Sequence, residues 1–263
     1  MKKILSIALC AATASAFAAG EPVAVEVGTV GVTAITTSLS NAIVAVSYDD
    51  LADDKGGMVY SNLVKTTNLT VNDKLIQFSY DGSDKGKYTS WLLKEGTTSG
   101  GAKYNYWEGQ AEAYKDDSGS DLLQTSPAPD TVRGAVGTGI WLVRQKPIAE
   151  GGSTNTFYIY GKPVTSKTVQ LAKGKWNLVG NPTTNEVTIT EEMVVGAANY
   201  DQIVTPVAPS GKLCYYTFWS GSGWLKPNSD GTGWVAEPPK LGSGLGCWIK
   251  TKNEATINWP SDK

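Results

Sequence analysis

Residues 73–91 read DKLIQFSYDGSDKGKYTSW, and residues 201–219 read DQIVTPVAPSGKLCYYTFW. Both run from an Asp to Tyr-Thr-x-Trp without a gap, at a constant offset of 128 positions (73 to 201, 91 to 219). Downstream, Gly137-Thr138-Gly139-Ile140-Trp141-Leu142 returns as Gly244-Leu245-Gly246-Cys247-Trp248-Ile249, at an offset of 107 (137 to 244). Upstream, Val27-Gly28 and the apolar run 42–46 are echoed by Tyr160-Gly161 and 176–180. Self-similarity at fixed spacing is the mark of a repeated structural unit. The pattern predicts two related units in tandem, over 20–153 and 154–263, divided at Ala149-Glu150-Gly151-Gly152-Ser153. Trp91 and Trp219 are then expected in equivalent, largely buried sites. Such a repeat specifies a scaffold, not a reaction.

Within each unit the apolar period is two rather than 3.6. Residues 75–80, 89–93, 140–143, 156–160, 176–179 and 247–250 read as short strands. Clusters of Gly, Asn, Asp and Ser at 81–84, 99–101, 151–153 and 228–231 separate them. Segments 61–67 and 190–197 occupy matching places and read as short capped helical turns. The expected class is all-β and mainly antiparallel, with one short helix in each of two sandwich-like or barrel-like units. A chain of 263 residues is long enough for two separate cores. The first unit carries extra residues between Lys94 and Thr131, where 115–121 reads as a solvated loop.

The first 19 residues read as a signal peptide. Lys2 and Lys3 form a basic start, residues 4–12 an apolar stretch, and Ala14-Ser15-Ala16-Phe17-Ala18-Ala19 offers A-x-A cleavage sites. The apolar stretch is too short for a transmembrane helix, and no later segment reaches the ~20 apolar residues one requires. The expected location is outside the bacterial inner membrane: extracellular, on the outer cell surface, or periplasmic. Removing Lys2 and Lys3 from 23 basic residues leaves 21 against 25 acidic, a net charge of about −4. With no basic cluster, a nucleic-acid partner is not expected. Cys214 and Cys247 remain, an even number in an oxidising compartment, and a Cys214–Cys247 disulfide is expected, stabilising by roughly 3 kcal/mol. The alternative is a pair of free thiols, since Cys247 stands where the first unit has the apolar Ile140.

The chain has no histidine. That removes the commonest general base and metal ligand, and with them a Ser-His-Asp triad and His-containing zinc sites. Paired carboxylates could come from Asp49, Asp50, Asp53 and Asp54 or from Glu191 and Glu192, but nothing in the sequence selects a pair. The glycine runs at 134–139 and 242–246 lead into strands rather than helices, so they read as turns or bulges needing positive φ, not phosphate loops. The acidic turns at 116–121 and 228–231 offer oxygen ligands, yet neither fits the twelve-position calcium loop. No catalytic residue, cofactor or metal is assigned, and an enzyme is not expected.

Aromatic usage is unusual: 9 Trp and 12 Tyr against 4 Phe. Trp91, Trp141, Trp219 and Trp248 recur between the units and read as shared core, where each ring buries ~150–250 Å². Trp107, Trp224 and Trp234 lie beside Gly, Ser and Asn; packing over a cross-strand face is the first reading of these rings, and as the candidate binding residues they are able to stack on sugar rings or on another copy of the chain.

The strand 176–182 (Trp-Asn-Leu-Val-Gly-Asn-Pro), the Asp-x-Ile/Leu strand start, Tyr-Thr-x-Trp and Gly-x-Gly-x-Trp together resemble a group of uncharacterised secreted bacterial β-proteins. The resemblance covers most of the mature chain and implies a scaffold without an assigned activity. The first unit departs from it, with Ala45-Val46-Ser47-Tyr48 facing Val179-Gly180-Asn181-Pro182. The functional expectation is a secreted, non-enzymatic structural or adhesive protein, with itself, other envelope components or polysaccharide as partner. The runner-up is a carbohydrate-binding module using Trp107, Trp224 and Trp234.

Overall fold

The computed structural model describes residues 31–37, 41–49, 56, 58–59, 70–79, 87–115, 121–126, 132–144, 155–162, 167–207 and 212–260. Among these residues every regular element is a β-strand, and the ladders are antiparallel. None of the described residues forms a helix long and apolar enough to cross a membrane.

Two sheets dominate. The first has five strands in the order Asn41–Ala45, Gly139–Val143, Lys74–Ser79, Lys87–Thr97, Lys103–Gly109. The second has six, in the order Trp176–Gly180, Gly246–Lys250, Gln202–Val207, Lys212–Trp219, Gly223–Pro227, Trp234–Ala236. Alternation along the strands gives each sheet one mainly apolar face. Leu75, Trp91, Leu93, Trp107, Ile140 and Leu142 meet in one core. Ile203, Tyr216, Phe218, Trp224, Cys247 and Ile249 meet in the other. Smaller ribbons close the cores. Gly31–Thr37 pairs with Asn155–Gly161 and contributes Ile159 to the first; Lys167–Leu171 pairs with Ala255–Trp259 and contributes Leu171, Ile257 and Trp259 to the second.

The two sheets join through reciprocal backbone bonds. Ala45 N donates to Gly244 O at 2.8 Å, and Gly180 N donates to Gly137 O at 2.9 Å. Isolated bridges pair Val44 with Leu245 and Thr138 with Val179. The Gly-x-Gly turns permit this approach in two ways. Gly137 (φ 88°) and Gly244 (φ 69°) adopt the left-handed turn expected of them. At Gly246 there is no room for a Cβ, which would meet the Val179 carbonyl and the Ile43 side chain.

The Asp that opens each of the two echoed stretches has a structural task. Asp73 Oδ2 accepts from Thr70 N at 2.9 Å, and Asp201 Oδ2 accepts from Ala198 N at 2.8 Å. Each carboxylate thus ties off a turn through a left-handed residue, Asn72 (φ 74°) or Tyr200 (φ 73°). The rest of the two environments differs: Asp73 Oδ1 accepts from Thr70 Oγ1 at 3.1 Å and Oδ2 also pairs with buried Arg144 at 2.8 Å, while Asp201 Oδ1 accepts from Lys252 N at 2.8 Å.

Three expectations are corrected. The Tyr-Thr-x-Trp echo does not mark equivalent sites. Leu93 N donates to Asp73 O, whereas Phe218 N donates to Asp201 O. The first hairpin closes at Ser79–Lys87 and the second at Val207–Lys212, so the second connection is three residues shorter. Trp91 therefore lies level with Tyr216 and is fully buried, while Trp219 lies further along its strand and is 36% exposed. Gly-x-Gly-x-Trp does keep its place: Trp141 pairs with Ile76, and Trp248 with Val204.

The helical turn expected at 190–197 is also absent. Turns close from Val194 N to Glu191 O and from Ala197 N to Val194 O, and between them Val194–Val195 pairs with Ile257 and Thr256. Adjacent β-branched valines next to an open strand gain more from the ladder than from one helical turn. The matching segment 61–67 lies outside the described residues.

Cys214 and Cys247 are free thiols rather than a disulfide. Thr205 pairs with Cys214, and the Val204–Trp248 pair puts Cys247 level with Thr205 on the other side. One strand separates the cysteines, so their Cα atoms stand roughly 9–10 Å apart by strand spacing, beyond the ~7 Å limit for a bridge.

Candidate functional site

Of the three tryptophans singled out in the sequence, two are structural. Trp107 is 6% exposed and Trp224 is 2% exposed, each filling the core beneath its sheet. Trp224 packs edge-on against Phe218 with ring centroids 5.3 Å apart. Rings enclosed in this way cannot stack on a ligand arriving from water. Both sit on strands beside polar turns, so neighbouring Gly and Ser residues falsely suggested exposure. Trp234 differs: it lies on the edge strand and is 58% exposed.

The outward face of the second sheet gathers exposed rings. Along Lys212–Trp219, Cys214, Tyr216 and Phe218 face the core, leaving Leu213, Tyr215, Thr217 and Trp219 outside. Tyr215 is 51% exposed. Pairing carries this face across the sheet. One row runs Leu178, Trp248, Val204, Tyr215; the next runs Trp176, Lys250, Gln202, Thr217, Leu225, Ala236. Trp234 pairs with Pro227 at the far edge. At the near end Tyr200 meets Trp219 with centroids 4.7 Å apart, and Lys252 Nζ lies 4.2 Å above the Tyr200 ring. Lys250 Nζ lies 5.9 Å from the Trp176 ring.

Where the first sheet approaches this face, the rings form a cleft. Phe78 contacts Trp248 edge-on at 4.9 Å and Tyr88 at 4.9 Å, and Trp141 contacts Trp248 at 6.4 Å. The cleft holds about 240 Å³ and is walled by Phe78, Tyr88, Trp176, Leu213, Tyr215 and Trp248. That volume fits one ring or one large side chain, not an enclosed drug-sized ligand. Its walls are mainly carbon, with phenol and indole groups at the edges.

A signal for this surface was present in the sequence. The run 213–219 is apolar or aromatic at nearly every position, which a strand with one solvated face does not need. Apolar residues on the outward side must be covered by another layer or left as a contact surface.

Elsewhere the acidic turn 228–231 uses its own oxygens. Asp230 Oδ1 accepts from Thr232 N and Oγ1, which holds its carboxyl below the usual range, and Asn228 Oδ1 accepts from Gly233 N. No group of three or more potential metal-ligating acids or thiols occurs among the described residues. Burial pushes the Cys247 thiol well above its ordinary range, which keeps it protonated and unreactive. Comparison with protein-family models, curated proteins and solved structures gives no match.

Proposed function

We propose that this is a secreted, non-enzymatic adhesive protein of the bacterial envelope or exterior, built from two related β units in tandem, whose contact surface is the outward face of the second sheet. The observation that carries the adhesive reading is the exposed apolar stripe Leu213, Tyr215 and Trp219, continued by Trp234 and by the cleft at Trp248. Single exposed hydrophobes are ordinary on a protein surface, whereas a contiguous exposed patch usually marks an interaction site. The absence of histidine from the sequence and of carboxylates from this face favours recognition over catalysis.

Common strand order in the two sheets, the reciprocal bonds at their join and the paired Asp turns all support the tandem reading. On that reading the seam falls between Gly161 and Lys167, because Asn155–Gly161 pairs along its whole length with Gly31–Thr37.

The test is retention of the purified mature protein on isolated bacterial envelope fractions and on insoluble polysaccharides, compared with Tyr215→Ser/Trp234→Ser. Both rings are exposed, so the double variant is expected to keep its unfolding midpoint and lose retention. A variant retained as well as the parent, or a parent retained by nothing, overturns the reading.

A further inference from the structure

The outward face of the second sheet carries more than rings. None of its outward positions is Asp or Glu, on a chain with a formal net charge of −2. It does carry two lysines, Lys250 and Lys252, each lying against a ring of the face rather than against an acid. Neither makes an ion pair among the described residues, in contrast to Lys94, Lys103 and Lys226, which reach Glu108, Glu95 and Glu237. The surface is therefore locally cationic and aromatic within an acidic protein. Gln202 and Thr217 lie between the rings and offer hydrogen-bonding groups.

The spacing of the rings narrows the choice. Trp248, Tyr215 and Trp234 stand on alternate strands of the sheet. Their intervals are roughly 9–10 Å by strand spacing, near the disaccharide repeat of an extended β-linked glycan, whose flat carbon faces stack on aromatic rings. A polypeptide strand offers side chains at shorter intervals and has no comparable ribbon of flat rings. The cleft beside Trp248 has the volume of a single sugar ring and would close one end of the track.

We propose that this face binds an anionic, β-linked polysaccharide: Trp248, Tyr215 and Trp234 stack on alternate sugar faces while Lys250 and Lys252 meet its carboxylate or sulfate groups. The Tyr200–Trp219 pair holds the Lys252 end. This inference rests on the adhesive reading of the same face and adds the chemistry of its ligand.

The experiment is affinity electrophoresis of the full mature chain through gels containing carboxymethylcellulose or hydroxyethylcellulose, which share a backbone and differ in charge. Retardation is expected in the first gel, at least tenfold stronger than in the second and weakened by added salt. Lys250→Gln/Lys252→Gln is expected to remove the difference between the gels, and Tyr215→Ser/Trp234→Ser to remove retardation from both, each with an unchanged unfolding midpoint. Equal retardation of the parent in both gels overturns the charge assignment. No retardation in either overturns the polysaccharide. Concentration-dependent sedimentation lost in the ring variant would identify a second copy as occupant, overturning the polysaccharide while leaving the adhesive surface in place.

Discussion

Gly180 and Ala45 meet at the join of the two sheets so closely that a Cβ on Gly180 would come 2.5 Å from the Cβ of Ala45 and 2.6 Å from its Cα. Neither neighbour can withdraw, because Ala45 N and Gly180 N are both bonded across the join. Gly180→Ala is therefore expected to destabilise the chain by about 1–3 kcal/mol, the cost of overpacking. Ala45→Gly in the same molecule should recover part of that loss, and the coupling is measured by a double-mutant cycle in denaturant. A Gly180→Ala variant as stable as the parent would falsify the packing described.

The turn carboxylates make a second prediction. Asp201 is buried and accepts two backbone N–H groups, from Ala198 and Lys252. Asp201→Ala strands both donors and should cost about 3–6 kcal/mol, on the scale of two charge-assisted hydrogen bonds. Lys252 would lose its anchor, so the Tyr200 end of the face should also loosen. Denaturation midpoint and tryptophan fluorescence report the two effects separately.

Trp224 and Trp234 should respond oppositely to truncation. Trp224→Ala opens a cavity in the second core and is expected to cost ~3–5 kcal/mol, whereas Trp234→Ala should stay within ~0.5 kcal/mol. Trp224 Nε1 is buried without an acceptor among the described residues. Trp224→Phe removes that donor and keeps most of the ring, so it should cost far less than the alanine change. Thermal unfolding of the three variants decides the matter.

The thiols give a fourth prediction. With residues 1–19 removed, and Cys10 with them, the unfolded protein should show two reactive thiols before any reductant is added, and in the native state Cys214 should react well ahead of the buried Cys247. Raised pKa values also set the response to alkali. The fold holds Cys247 protonated, so its contribution is fully present below the ordinary thiol value of about 8.5. It is lost as pH rises above that value, because the unfolded chain ionises and the folded one does not. Tyr216, raised by burial and by its contact with Cys214, adds a similar loss at higher pH. Stability measured across pH 7–11 should fall; a rise would contradict the burial of these groups.

Strand content was legible because alternation is local: Ile203 and Thr205 inward, Gln202 outward, needs no knowledge of the partner strand. Gly-x-Gly-x-Trp was equally readable, since a left-handed turn and a tight approach both demand glycine. The Tyr-Thr-x-Trp match misled for a related reason. A connection three residues shorter slides one strand past the other, and letter identity carries no record of the slide. Pairing partners were illegible too, so the strand between Cys214 and Cys247 could not be seen. Exposure of Trp107 and Trp224 was misjudged because polar neighbours in sequence are not neighbours in space. The outward face was missed because its members come from six separate strands.

The crossed backbone bonds at the join bear on how the molecule comes apart. Two cores joined by a tether would melt as separate events, and calorimetry would show a van't Hoff enthalpy well below the total. Here Ala45 and Val46 of the first sheet bond to Gly244 and Thr138, and Gly180 and Asn181 of the second to Gly137 and Leu245. Unravelling either Gly-x-Gly turn strips acceptors from both sheets at once. The two sheets are thereby locked into one cooperative block, and amide exchange at Ala45 and Gly180 should report the same opening free energy.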